Sequence, residues 1–228
     1  MGNRFSYQLV RSKRRRKTLS LHIKEDGRIV VYVPHRTPGW EIEKFVRARE
    51  QWIEEKLSER KRTVNPPEKT FLPGEEFLFL GDAFPLEVRD PSLCEAPLRL
   101  SFGKFILSQS CLTRARDLFI EWYKKEARER LADRVDYYSN RFQLFPRSVK
   151  ITSARSRWGS CSRHDQLCFS WRLMMAPLKV IDYVLLHELV HIKEKNHSRR
   201  FWSYLGSLLP DYKGHRRWLR DHEKLLKL

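Results

Sequence analysis

The residues best suited to chemistry are His187, Glu188 and His191, which form an H-E-x-x-H motif, and His197, which follows six residues later. On an α-helix, side chains at positions i and i+4 share a face, so His187 and His191 can reach one cation with Glu188 beside it. Zinc hydrolases use this set of groups, with the carboxylate as general base. The motif therefore predicts a zinc site on a helix.

The surrounding sequence favours a functional site over a chance match. Residues 180–192 are apolar on nearly every side of a helix, which predicts that this helix is buried. Two imidazoles and a carboxylate buried without partners would be strongly destabilising, so such groups are usually paired or bound to metal. The structural alternative is a pair of hydrogen-bonded core histidines beside an ion-paired Glu188.

His197 decides whether the motif can form a complete site. A catalytic zinc usually has three protein ligands and a fourth position for water. On a straight helix His197 would lie about 9 Å along the axis from His191, too far to share an ion with it. The helix must therefore end, for which Asn196 is suitable, and Ser198 can cap the next helix. If His197 is only an exposed side chain, Glu194 is the substitute ligand.

The charge balance indicates the class of partner. The 228 residues include 46 Lys and Arg against 28 Asp and Glu, a net charge of +18. Such a balance favours polyanions, most simply DNA or RNA, through attraction to phosphates. The basic run at residues 11–17 is either a solvated strand or turn, or a patch that contacts phosphates.

The cysteines and the apolar runs indicate the compartment. The four cysteines form no C-x-x-C pair, which predicts free thiols in a reducing compartment. We recognise no secretory leader and no 18-residue apolar run. We therefore expect a soluble, cytoplasmic protein that does not enter a membrane.

Residues 1–108 are predicted to form a smaller, β-rich N-terminal part with one helix. Residues 18–33 predict a β-hairpin that turns at Asp26 and Gly27. The apolar stripe of residues 38–62 predicts the helix, and Asn-Pro-Pro at residues 65–67 predicts a linker. Short strands are predicted at residues 77–80, 85–88, 98–102 and 104–107.

Residues 109–228 are predicted to form a zincin-like domain, which makes the whole chain α+β. A long amphipathic helix is expected at residues 113–140. The H-E-x-x-H helix is expected to begin at Ala176 and Pro177, since Pro suits a first turn. Strands are predicted at residues 149–152, 157–162 and 167–173, the last two as a hairpin in a small antiparallel or mixed sheet, and closing helices at residues 198–208 and 213–226.

Several separated motifs resemble the YgjP-like metallopeptidase family, which is related to the SprT-like and WLM proteases. The resemblance covers nearly the whole chain and is specific because the motifs agree in order. It implies a zincin-type peptidase domain with His187, His191 and His197 as ligands and Glu188 as catalytic base. Ser170 departs from the Asn of many members. The motifs are residues 14–18, 157–161, 171–173, 176–177, 180–184, 187–198, 201–202, 210–212 and 218–219.

The expected function is hydrolysis of peptide bonds in a protein or peptide substrate, with one Zn²⁺ per chain and with possible targets among nucleic-acid-associated proteins. Tyr212 or His215 is a candidate for stabilising the transition state if the closing segment folds over the site. One alternative is a nucleic-acid-binding module with a structural or vestigial metal, and another is hydrolysis of a non-peptide amide.

The segment Trp158, Gly159 and Ser160 has two interpretations. It is either a structural strand with a packed Trp or the edge of the cleft that binds substrate. Cys161 is expected to be a buried thiol, with a second possibility that it blocks the zinc as a regulatory ligand.

Overall fold

The computed structural model describes residues 5–24, 26–62 and 68–228, and it divides the chain into two compact units, Met1–Asn65 and Pro66–Leu228. Helices and small mixed sheets in these ranges give the α+β fold that the sequence predicts. The predicted linker at residues 65–67 lies outside the described residues. No helix within the described ranges has both the length and the apolar character needed to cross a membrane.

The first unit contains a three-stranded sheet and two helices. The order of the strands is β1-β3-β2, with β1 parallel and β2 antiparallel to β3. The pairing of β2 with β3 confirms the predicted hairpin. The alternating side chains Ile29, Val31 and Val33 of β3 are buried with Ile42 and Val46 in one apolar cluster. The elements are β1 (Tyr7–Ser12), β2 (Ser20–Ile23), β3 (Ile29–Pro34), α1 (Gly39–Arg47) and α2 (Glu50–Arg62).

The prediction of a single helix at residues 38–62 is wrong, because the helix is interrupted between α1 and α2. Neither Gly nor Pro marks the break. Arg49 stabilises it, since its guanidinium donates to the Phe45 carbonyl at 3.1 Å and lies 3.8 Å from the centre of the Phe45 ring. A side chain thus satisfies a carbonyl near the end of α1.

A four-stranded sheet opens the second unit. The strands are β4 (Glu76–Phe79), β5 (Asp82–Arg89), β6 (Leu98–Ser101) and β7 (Lys104–Ser108) in the order β4-β5-β7-β6. They agree with the four predicted strands.

This sheet packs on the long helix α3 (Ala115–Phe142), which the sequence also predicts. The ring of Phe119 on α3 lies 4.1 Å from that of Phe77 and 4.9 Å from that of Phe105. Strands that share a core with α3 belong to its unit. The compact units therefore divide between residues 65 and 66, whereas the sequence places the boundary near residue 108.

A second sheet lies before the motif helix. It consists of β8 (Ser148–Thr152), β9 (Gly159–Cys161) and β10 (Gln166–Ser170) in the order β8-β10-β9. β9 and β10 are antiparallel, which confirms the predicted hairpin, and β8 is parallel to β10. The strand predicted at residues 167–173 ends at Ser170, where a 3-10 turn begins.

The motif helix α4 (Leu178–Val190) is buried, since ten of its thirteen residues are buried. Asp182 of α4 accepts two hydrogen bonds of 2.5 Å from the Arg134 guanidinium of α3. A bidentate pair of this kind fixes orientation as well as position. Two closing helices follow, α5 (Arg199–Leu208) and α6 (Tyr212–His222), the latter four residues shorter at its C-terminal end than the sequence predicts.

Candidate metal centre

The end of α4 brings His197 back toward the motif. His191 is the C-cap of α4, and the Glu194 N–H donates to the Val190 carbonyl at 2.9 Å within the following turn. The helix thus ends at Val190, six residues before Asn196, the predicted position. Ser198 caps α5 as predicted, since its hydroxyl accepts a hydrogen bond from the Phe201 N–H at 3.3 Å.

The three predicted ligands meet at one point. The Nε2 atom of His197 lies 2.8 Å from Nε2 of His187 and 3.1 Å from Nε2 of His191. Among the described residues, these three histidines are the one group of His, Cys, Asp and Glu side chains placed to share a metal ion. The carboxylate of Glu194, the predicted substitute, is outside this group.

The other ring nitrogens show which atoms are available to a metal. Nδ1 of His191 donates to the Glu194 carbonyl at 2.9 Å, so its Nε2 is left with a lone pair. Nδ1 of His187 is buried and has no hydrogen-bond partner among the described residues. Burial lowers the pKa of His187 to about 3, helped by the neighbouring histidines, and burial also lowers the pKa of His191. Neutral imidazoles are the form that binds metal.

The arrangement fits a zinc ion. Tetrahedral zinc with imidazole ligands at about 2.0–2.1 Å requires nitrogen atoms roughly 3.3 Å apart. The Nε2 separations of 2.8 and 3.1 Å are somewhat shorter than that spacing, and the three ligand atoms all lie within 4.8 Å of one another. A set of three imidazoles also matches the ligand set of catalytic zinc sites. His187, His191 and His197 are therefore the residues that would hold the ion.

Two aromatic residues of α5 enclose the histidines, and sequence reasoning assigned them no role in the site. The buried Phe201 ring lies 4.9 Å from His187, 4.5 Å from His191 and 4.8 Å from His197. Trp202 stacks on His197 with ring centres 5.5 Å apart. Both follow His197 by about one helical turn, and this spacing in the sequence could have indicated that they lie near the histidines. They fix the orientation of the rings and exclude water from one side of the cluster.

Glu188 is a buried carboxylate beside this cluster, with 6% of its surface exposed. Burial raises its pKa to about 7, although the charge of Arg157 and a hydrogen bond from the Cys161 N–H favour the ionised form. The Cys161 N–H belongs to β9, so this strand orients the carboxylate. A group with a pKa near 7 can both accept and release a proton at neutral pH.

Comparison with known protein families gives a match over most of the chain. The family described as YgjP-like, metallopeptidase domain matches residues 17–222. The chain belongs to the YgjP-like metallopeptidase family. This finding confirms the resemblance drawn from the separated motifs. A comparison with proteins of curated function gives no match.

In this YgjP-like chain, Gly159 allows β9 to approach Glu188 closely. A Cβ atom at position 159 would lie 2.6 Å from Cγ and 2.7 Å from Oε1 of Glu188. These distances are shorter than any normal carbon contact, so any larger residue must displace the carboxylate. Glycine is required at position 159 because a side chain there would clash with Glu188.

We expect Gly159→Ala to retain metal but to lose about tenfold to a hundredfold of any activity that depends on Glu188, since a displacement near 1 Å at a reacting group has that effect. The measurement is kcat/KM together with metal content. Gly214→Ala is the matched control, because nothing lies within 4 Å of a Cβ built at that position. Equal activity in the two variants would contradict the role of the close approach.

A cavity of about 290 Å³ opens beside His187 and Glu188 in this YgjP-like domain. Of the predicted substrate edge, Trp158 and Gly159 line the cavity, whereas Ser160 lies on β9 outside it. Its other lining residues are Tyr183, Val184, Arg216, Leu219, Arg220 and Glu223.

Tyr212 and His215, the two residues predicted to stabilise the transition state, differ in their positions relative to the three histidines. Tyr212 stacks on Trp202 at 5.6 Å and is thus one ring removed from His197. His215 is absent from the ring contacts of the three histidines in the described part of the chain.

The structure adds Tyr183, which precedes His187 by one helical turn and whose ring lies 5.9 Å from it. Burial raises the pKa of Tyr183 to about 12, so its hydroxyl stays protonated and can donate a hydrogen bond at neutral pH. The i, i+4 spacing between Tyr183 and His187 is the feature of the sequence that could have indicated that Tyr183 belongs to the site.

Proposed function

We propose that this YgjP-like protein is a zinc-dependent peptidase that hydrolyses peptide bonds in protein or peptide substrates, with one Zn²⁺ per chain and Glu188 as general base. The observation that carries the proposal is the convergence of three imidazoles beside a buried carboxylate whose pKa is raised to about 7. When bound, zinc supplies Lewis-acid activation of water and of the scissile carbonyl.

The chain's own groups then position and move the proton. Glu188 accepts a proton from the attacking water and delivers it to the leaving amine. The Cys161 N–H holds one side of this carboxylate, and Gly159 leaves the room that the carboxylate occupies. Tyr212 and His215 remain candidates for stabilising the transition state, to which we add the hydroxyl of Tyr183.

We infer that an extended substrate pairs with β9. This strand ends the order β8-β10-β9, so one side of its main chain has no strand neighbour within the described part of the chain. Main-chain pairing at a free edge is a common way to bind a peptide. Trp158, Gly159 and Ser160 would then form the edge of the substrate site, as the sequence suggests.

The alternative of a structural or vestigial metal requires a fourth protein ligand or an inert site. Cys161 is the candidate that the sequence suggests, and it lies on β9, the strand that contacts Glu188. Burial raises the pKa of its thiol to about 11, which disfavours the thiolate that binds zinc. The group of three histidines supports a site with a free coordination position.

Metal removal tests the proposal directly. We expect the purified protein to cleave casein or a mixture of peptides, to lose that activity on treatment with a chelator, and to recover it when zinc is added back. Cleavage that persists after the metal is gone would remove the proposal. Hydrolysis of simple amides in place of peptides would favour the non-peptide alternative.

The basic run of the first unit supports action on nucleic-acid-associated proteins. Arg11 donates to the carbonyls of His35 and Thr37, so it stabilises its own unit. Arg15 also has an internal partner, the Ser20 hydroxyl. The remaining four cations of the run, Lys13, Arg14, Arg16 and Lys17, are exposed and available to phosphates.

We expect a variant with Gln at positions 13, 14, 16 and 17 to bind DNA or RNA less tightly, with the slope of log K against log salt reduced by about 3 to 4, or roughly 0.9 for each phosphate that the variant no longer neutralises. The measurement is affinity at several salt concentrations. The control removes four exposed charges elsewhere, at Lys125, Arg128, Lys213 and Arg217. The same slope in both variants would show that the run has no special role.

We also infer a reducing, cytoplasmic compartment for this protein. The support is that Cys94, Cys111, Cys161 and Cys168 are all free.

A further inference from the structure

The cavity beside the candidate metal centre has one wall formed by a single face of α6 and by its C-cap residue, Glu223. Arg216, Leu219, Arg220 and Glu223 follow each other at the i, i+3, i+4 and i+7 spacing of a helix face. The opposite wall comes from α4, which places His187 and Glu188 in the same cavity. A group bound in the cavity would therefore lie next to the reaction centre.

The size and lining of the cavity suit one substrate group. Its volume of about 290 Å³ is at the small end of ligand pockets in proteins, which start near 300 Å³. The walls are largely apolar, with Val184 and Leu219 buried and the rings of Trp158 and Tyr183 beside them. Apolar walls of this kind fit the stem of a side chain and leave recognition to the charged groups.

Arg216 is the charged group whose hydrogen-bond donors are available. Its guanidinium lies 4.9 Å from the centre of the Trp202 ring, and in the described part of the chain no ion pair includes it. Arg220 differs, because its Nε donates to the Asp221 carboxylate at 3.0 Å. Glu223 lies seven residues from Arg216, about 10 Å along the helix axis, and among the described residues no ion pair joins the two side chains.

Arg216 is also close to the metal site. The Trp202 ring beneath it stacks on His197. The positive charge of Arg216 adds to the effect of burial in lowering the pKa of His187, and it offsets part of the rise that burial causes in the pKa of Tyr183. A guanidinium with free donors binds a carboxylate through two parallel hydrogen bonds.

We propose that this cavity receives a carboxylate-bearing group of the substrate next to the scissile bond, and that Arg216 binds that carboxylate and sets the specificity. The inference rests on the proposed peptidase function. The carboxylate has two possible sources, the side chain of Asp or Glu and the C-terminus of the substrate chain. Both present the same planar anion to Arg216.

The test uses a peptide set in which the residues on both sides of the cleaved bond are Glu, Gln or Lys, each peptide made with a free and with an amidated C-terminus. We expect the wild type to prefer the carboxylate member of a matched pair by about tenfold in kcat/KM, since a charged hydrogen bond at a partly exposed site contributes about that factor. Glu over Gln identifies the side chain, and free acid over amide identifies the C-terminus.

Arg216→Gln is expected to reduce kcat/KM on the carboxylate peptides about tenfold more than on the uncharged peptides, which abolishes the preference, and Arg216→Glu should shift the preference toward Lys. Arg217→Gln is the matched control, since Arg217 is an exposed neighbour on α6 that does not line the cavity. An equal loss on charged and uncharged peptides, or no carboxylate preference in the wild type, would overturn the proposal.

Binding separates this inference from the proposed function. The uncleaved peptides are titrated by calorimetry into Glu188→Gln and into Glu188→Gln/Arg216→Gln. Glu188→Gln should bind the carboxylate peptide about tenfold more tightly than its uncharged counterpart, and the double variant should bind the two peptides equally. If that difference appears but the wild type cleaves no peptide, the carboxylate site stands and the peptidase proposal fails. If the wild type cleaves peptides and the difference is missing, the carboxylate site fails alone.

Discussion

Replacing Glu188 with glutamine is expected to reduce peptide hydrolysis by about 10²- to 10⁴-fold while the metal content stays at that of the wild type. Glutamine has nearly the same shape, so it fits the space that Gly159 leaves, and its carbonyl oxygen can accept the Cys161 N–H. It cannot take a proton from water. The three histidines that would hold the metal are unchanged.

Glu129→Gln, which removes an exposed carboxylate from α3, is the control for the loss of one negative charge. The readouts are kcat/KM and zinc per chain. If Glu188→Gln hydrolysed peptides as fast as Glu129→Gln, the assignment of the general base would be wrong. If it lost its zinc, Glu188 would have to be counted among the ligands.

The same substitution has an expected effect on stability in the metal-free protein. Burial raises the pKa of Glu188 from 4.5 to about 7, so the folded state holds its proton more tightly than the unfolded state. The raised pKa of Glu188 therefore stabilises the folded wild type fully below pH 4.5. This contribution to the free energy of unfolding, about 3 kcal/mol, is lost as the pH rises through 7. Glu188→Gln should lack this loss, which thermal unfolding across that pH range measures.

Loss of one histidine ligand is expected to reduce zinc affinity strongly, just as the loss of the Glu188 carboxylate is expected to reduce the rate of hydrolysis strongly. We expect His191→Ala to weaken zinc binding by more than a hundredfold, since even second-sphere partners contribute about 10- to 100-fold. Removal of His191 leaves two nitrogens at the cluster and frees the Glu194 carbonyl. Peptide hydrolysis should fall with the zinc content.

Zinc binding also has a stability readout. Zinc at a hundred times its dissociation constant stabilises a protein by about 2.7 kcal/mol, so added zinc should raise the Tm of the wild type but not of His191→Ala. His164→Ala is the control, because His164 is exposed in the turn before β10. Equal zinc content in His191→Ala and His164→Ala would contradict the assignment of the ligands.

Local signals in the sequence predict the parts of the site that lie on one element. The i, i+4 spacing places His187 and His191 together, and Ser198 caps α5 through a hydrogen bond made within its own first turn. The hairpins β2-β3 and β9-β10 follow from alternation and short connections. These features depend on residues a few positions apart, which a sequence shows directly.

Other parts depend on packing between distant segments. Residues 192–195 contain no Gly or Pro, so local propensity favours a longer α4, yet the helix ends at Val190 and His197 returns to the cluster. Gly159 and Arg216 belong to the site only because β9 and α6 pack beside α4. The core shared by Phe77 and Phe119 likewise joins strands and a helix that composition alone separates.

X-ray absorption at the zinc edge of the purified wild type tests the central claim most directly. We expect one zinc per chain with three imidazole nitrogens and one oxygen from solvent at about 2.0–2.1 Å, which is a catalytic site with a free position. A sulfur ligand at about 2.3 Å, four protein ligands, or a protein that binds no zinc would contradict the peptidase account. A closed or missing zinc site would leave the nucleic-acid-binding module as the better explanation of this basic chain.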